Sequence, residues 1–149
     1  MPTLVSVTLL IVLAAATCAY WRGGPPERIA AKVIIVWILT DVGYHLIFGP
    51  SGFVVVDPAH LVIDGAELVA ITWLALRANR VWPVWAAAAQ LMTFSGHIVA
   101  MIETGGINRA YWAITQLPPY IQIAAMVFGA VFHSRRYRQI GPYRSWRLS

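Results

Sequence analysis

Ten of the eleven lysines and arginines in this chain fall into three short segments: Arg22 to Lys32, Arg77 to Arg80, and Arg135 to Arg147. Between them the sequence is apolar in runs of about twenty residues, the length a helix needs to cross the ~30 Å hydrocarbon core of a bilayer. Lipid offers the backbone no hydrogen-bond partners, so a spanning segment must satisfy its own amides, which a helix does. The predicted fold class is therefore all-α, a polytopic membrane helix bundle. A composition of 59% hydrophobic and 11% charged residues excludes a water-soluble globule, and seven Trp and six Tyr supply the amphipathic rings favoured at headgroup depth. Cys18 is the only cysteine, so no internal disulfide or CxxC thiolate site exists within these residues.

Five transmembrane helices are predicted, at about residues 4–21, 29–48, 58–78, 81–102 and 110–133. Residues 1–133 form a single transmembrane domain and residues 134–149 a basic cytoplasmic tail. The first run has no basic residue before it and Arg22 after it, so it reads as a retained helix rather than a signal peptide. Gly23-Gly24-Pro25-Pro26 and Gly49-Pro50-Ser51-Gly52 break the chain, with Phe53 to Val56 read as a plain outer loop. Asp57-Pro58 reads as an N-cap followed by proline at the first helical position. Pro118-Pro119 should kink or break the last span. The positive-inside rule then places the N-terminus outside and the C-terminus in the cytoplasm, with Arg109 the one basic residue outside. The expected location is the inner (plasma) membrane.

Ionisable groups inside such spans are costly and mark sites or interhelical pairs. His60, Asp64 and Glu67 are spaced four and three apart and so share one helix face; Asp41 and His45 are four apart, and His97 lies seven beyond Gln90. Asp41, Asp64, Glu67 and His97 all fall roughly 6–10 Å inside the outer boundary at about 1.5 Å per residue. His45, His60 and Glu103 lie nearer that boundary, and the inner halves of spans two to four read as apolar. One polar pocket open to the outer face is expected, lined by Asp41, His45, His60, Asp64, Glu67 and His97. Gln90, Glu103, Gln116 and Tyr120 surround it.

Three readings compete for that pocket. The leading one is an accessory or interaction subunit, in which Asp41 or Glu67 pairs with His97 to fix helix packing or meets another membrane chain or a second copy. The second is proton, cation or metal binding and translocation. The third is a bound divalent metal or a tetrapyrrole, with His97 beside Ser95-Gly96 as the first axial candidate and His133, four residues after Gly129, as the second. Neither HExxH, Glu-x-x-His nor GxSxG occurs, so the sequence does not argue for an enzyme. Arg135, Arg136, Arg138, Arg144 and Arg147, interleaved with aromatic residues, are expected to meet anionic lipid headgroups rather than nucleic acid. Trp37 reads as a packing residue, Met92 and Met101 as core filler.

Overall fold

The computed structural model describes residues 2–49, 57–102 and 108–147, with side chains from residue 6 in the first segment and from residue 109 in the last. Six helices follow in order: α1 (Pro2–Arg22), α2 (Pro25–Phe48), α3 (Pro58–Arg77), α4 (Trp82–Ile102), α5 (Asn108–Gln116) and α6 (Pro118–Ile140). Glu103 and the Phe53 to Val56 segment lie outside the described residues.

Local chemistry explains the boundaries, including those the sequence misplaced. α2 starts four residues earlier than expected because Pro25 and Pro26 occupy its first turn, where a missing N–H is harmless, and Glu27 accepts the Gly24 N–H at 2.9 Å. The proline pair therefore starts the helix instead of merely preceding it. α3 begins where Asp57 accepts the Ala59 N–H at 3.0 Å, with Pro58 at the first helical position. Pro118 and Pro119 break the last apolar stretch at Leu117, separating the nine-residue α5 from α6. α6 then continues to Ile140, beyond the predicted end at 133, and stops at Gly141, whose φ of 76° suits only a residue without Cβ strain.

The long helices close a ring: α1 packs on α2, α2 on α3, α3 on α4, α4 on α6, and α6 back on α1, while α5 rests on α4 and α6. Small side chains line these seams. Ala15, Ala16 and Ala19 of α1, Ala30 and Ala31 of α2, Ala86 and Ala89 of α4 and Ala130 of α6 are all buried. Small residues let backbones approach closely, which is how helices associate where lipid removes the hydrophobic drive. Ile34, Ile71, Leu74 and Met126 fill the space between them.

The radial distribution of polarity is that of a protein in lipid. Buried positions include Glu27, Asp64, Glu67, Gln90, Thr93, His97, Thr115 and Gln122, whereas Val62, Val69, Phe48 and Ile102 are each at least 70% exposed. In water so much contiguous apolar surface would aggregate. Four helical stretches are long and apolar enough to cross a membrane: Pro25–Phe48, Pro58–Arg77, Trp82–Ile102 and Arg109–Ile140. The fold is thus an all-α bundle with four long apolar helices, consistent with a multi-pass membrane protein in contact with lipid. Met92 and Met101 are more than half exposed on this outer surface, not in the core.

The C-terminal segment does not trail away. Ser145 and Arg77 carbonyls accept the Asn79 and Arg147 amides at 2.9 Å each, and Ala78 and Trp146 form an antiparallel bridge. The tail is thereby fastened across the α3–α4 turn, with Trp146 against Trp73 at 6.1 Å between ring centroids.

Candidate functional site

The antiparallel run of helices gathers the ends of α2 and α4 and the start of α3 at one end of the bundle. Three groups converge there. His60 Nε2 lies 3.2 Å from Asp41 Oδ1 and 3.1 Å from His45 Nε2, and His45 Nε2 is 3.7 Å from Asp41 Oδ1. All three side chains are between 17% and 29% exposed, so the cluster is reachable from outside without being loosely held. Asp41, His45 and His60 are a partly buried triad that could coordinate a divalent metal or share a proton.

The surroundings orient each imidazole. His45 Nδ1 is 2.9 Å from the Gly49 carbonyl, which can only accept, so Nδ1 carries the proton and Nε2 presents its lone pair to the cluster when the ring is neutral. A carbonyl behind the ring is the usual device for fixing a ligating histidine. His60 Nδ1 faces Asp57 Oδ2 at 3.7 Å, and the Tyr44 hydroxyl donates to that same oxygen at 2.6 Å. The Tyr44 hydrogen bond, with a smaller contribution from the Ala59 amide, holds the Asp57 carboxyl below its usual range. Asp57 therefore stays anionic and supports His60 from behind.

Deeper in, Asp64 is surrounded by donors from two helices. Trp37 Nε1 donates to Oδ1 at 2.7 Å and His97 Nε2 to Oδ2 at 2.7 Å. The Gln90 amide donates to the Asp64 carbonyl at 3.1 Å and reaches Oδ1 at 3.4 Å. A buried carboxyl is tolerated only with such partners. His97 therefore pairs with Asp64, not with Asp41 or Glu67, and Trp37 is a hydrogen-bond donor as well as a packing residue. His97 Nδ1 meets the Tyr111 hydroxyl at 2.9 Å, so both ring nitrogens are engaged and neither is free for axial ligation of a tetrapyrrole. Glu67 lies one turn further along α3, where the Gln122 amide of α6 donates to Oε1 at 3.0 Å; Glu67 Oε2 and Gln90 Oε1 are buried without a hydrogen bond among the described residues.

The expected single pocket resolves into two connected layers. Asp41, His45 and His60 form the partly buried layer, and Asp64, His97, Gln90 and Glu67 the buried one. The His60 and His97 rings stack at 6.4 Å between centroids, which links them. Of the expected surrounding residues, Tyr120 bonds the Thr8 hydroxyl at 2.9 Å and Gln116 is exposed, so neither joins either layer.

The opposite end, expected to be apolar within the bundle, carries a polar cluster of its own. Glu27 is fully buried, its Oε1 accepts the Trp82 indole N–H at 2.8 Å, and Arg80 Nε stands 3.4 Å away in ionic contact. Arg80 reaches on to His133 Nδ1 at 3.1 Å, which also meets the Tyr143 hydroxyl at 2.8 Å. Since a guanidinium only donates, His133 Nδ1 is an acceptor. The Gly-Pro-Pro-Glu signature of a helix start could have flagged Glu27, but its partner Arg80, fifty-three residues on, had no local signature.

Compared with protein-family models, curated proteins and solved structures, the chain matches none. Its class rests on its own geometry: an α-helical bundle of membrane type with a half-buried Asp/His triad at one end.

Proposed function

We propose that the protein binds a divalent transition metal of the zinc class through Asp41, His45 and His60. One observation carries this. Bonds of about 2.0–2.1 Å at tetrahedral angles put ligand atoms ~3.3 Å apart, and the three ligand atoms here stand 3.1, 3.2 and 3.7 Å from one another. Nitrogen and carboxylate oxygen donors suit such an ion. Three protein ligands leave a fourth position open to solvent or to an incoming group, so the ion is exchangeable. The residues would supply the lone pairs, with the Gly49 carbonyl and Asp57 keeping the rings aligned.

A second reading is favoured by the buried layer. From the triad, ionisable or amide side chains continue inward through His97, Asp64, Gln90, Glu67 and Gln122. Such a row suits movement of a proton or cation part of the way across the bundle. Under either reading the chain forms one transmembrane domain of five spans in the inner membrane, N-terminus outside, with the triad facing outward and the basic end in the cytoplasm. An accessory-subunit role is the third reading, and co-purifying chains would favour it.

Native purification followed by metal analysis and zinc titration of wild type and His45→Ala/His60→Ala tests the first reading. Stoichiometric zinc lost in the double variant supports it; equal binding by both overturns it. A liposome flux assay tests the second, and a cysteine-labelling map that put Arg77 and Arg80 outside would refute the topology.

A further inference from the structure

We infer that the basic end of the bundle holds a binding site for a phosphate-bearing anion, supplied by an anionic phospholipid headgroup or by free phosphate. The inference is independent of the metal site, which lies at the other end and shares no residue with it. A cleft of ≈ 390 Å³ opens between the α3–α4 turn, the end of α6 and the docked C-terminal segment, lined by Asn79, Arg80, His133, Arg136, Tyr143 and Arg147 among others.

The charge of this cleft is unbalanced. Glu27 is the carboxylate in ionic contact with one of its arginines, Arg80, and its oxygens are also taken by the Gly24 and Trp82 N–H groups. Among the described residues neither Arg136 nor Arg147 has a carboxylate within ion-pair distance. Arg136 and Arg80 instead both pack on the Tyr143 ring, at 4.6 and 4.5 Å from its centroid. Two guanidinium groups about one ring concentrate positive charge at the cleft, and a phosphate accepts from guanidinium forks bidentately.

The cleft is also built, not incidental. Arg80 is held by Glu27, by His133 and by the Asn79 carbonyl at 2.9 Å, and its side chain is 8% exposed. Arg147 is brought to the rim by the pairing of its own amide with the Arg77 carbonyl. A loose basic tail would need none of this. Val81 and Phe132, both more than 60% exposed, form an apolar edge beside the arginines, the arrangement a headgroup with attached acyl chains would meet.

The test uses the full chain in a neutral detergent, with thermal unfolding followed during titration by dihexanoyl-phosphatidylglycerol, dihexanoyl-phosphatidylcholine or sodium phosphate at constant ionic strength. A ligand that binds only the folded state raises the midpoint with concentration. The expected result is a rise with phosphatidylglycerol that phosphatidylcholine does not give, with apparent affinity at least tenfold weaker in Arg136→Gln/Arg147→Gln. A rise with phosphate alone, lost in the same variant, assigns the site to free phosphate. Arg147→Gln alone, which leaves the backbone pairing intact, should weaken binding at least threefold and guards against misfolding of the double variant. Arg135→Gln/Arg138→Gln removes equal charge from the same helix end outside the cleft and should stay within twofold of wild type. Equal loss in both doubles, or no stabilisation by either anion, overturns the inference.

Discussion

His60 Nε2 stands 3.1 Å from His45 Nε2, although the two residues belong to different helices and lie fifteen positions apart. Two neutral imidazoles with both lone pairs directed at each other would repel, so the contact requires a shared proton or a shared cation. Asp41 beside them adds the negative charge that either would need.

If the shared species is a metal, removing one ring should cost more than removing a group behind it. Outer-shell losses typically cost about 10–100-fold in metal affinity. His60→Ala and His45→Ala should each weaken zinc binding beyond that range in isothermal titration calorimetry, while His97→Ala, whose nitrogens are both engaged elsewhere, should leave it within a few-fold. Binding should also weaken on acidification, because protons compete for the imidazole lone pairs.

Tyr44→Phe isolates the group behind His60. The Tyr44 hydroxyl is the largest cause of the lowered Asp57 carboxyl, so the variant should move Asp57 back up toward its usual range, read by carbon-detected NMR titration. The sign for stability follows. A carboxyl lowered in the folded state contributes above its unfolded value and loses that contribution as pH falls through the folded one. Wild type should therefore lose more stability than Tyr44→Phe on acidification below the usual carboxylate range.

Asp64 is the acceptor on which Trp37, His97 and Gln90 converge. Asp64→Ala strands buried donors, each costing about 1–3 kcal/mol when unsatisfied. The variant should unfold several kcal/mol more easily, whereas Asp64→Asn, which keeps an acceptor oxygen, should lose less. Equal stability of the two variants in denaturant titration would contradict the role assigned to the carboxyl.

The apolar runs and their spacing made the bundle legible, because span length and backbone satisfaction leave lipid-exposed chains few alternatives. The periodicity of His60, Asp64 and Glu67 likewise placed one face inward: Asp64 and Glu67 are buried while Val62 and Val69 point out. Depth along a helix follows from residue counting, which set Asp41 level with Asp64 and His97, whereas its side chain meets His45 and His60. Azimuth does not follow from counting. It depends on which helices pack together and with what rotation, which is why the partner of His97 was misassigned and one pocket became two layers. The Glu27–Arg80 contact and the docked tail depend on tertiary proximity alone, since arginines near a helix end look the same whether they meet lipid, solvent or a buried carboxylate.

Gly129 tests whether the basic end is one cooperative unit. A Cβ built on it would come 2.3 Å from Trp82 Cδ1 and 2.5 Å from Nε1, so the indole lies directly on the α6 backbone. Overpacking of this kind costs about 1–3 kcal/mol, and here a shift of the ring disturbs the N–H it donates to Glu27. Gly129→Ala should therefore act on the buried carboxyl as well as on packing. In a double-mutant cycle with Glu27→Gln, the two stability losses should fall short of adding, because the first substitution already weakens the hydrogen bond the second removes. Residues that do not share a partner add instead, so Gly129→Ala combined with Asp64→Asn should be additive within about 0.5 kcal/mol. Additivity in both cycles would show that Trp82 merely fills space beside Gly129 and that Glu27 is held by Arg80 and the Gly24 amide alone.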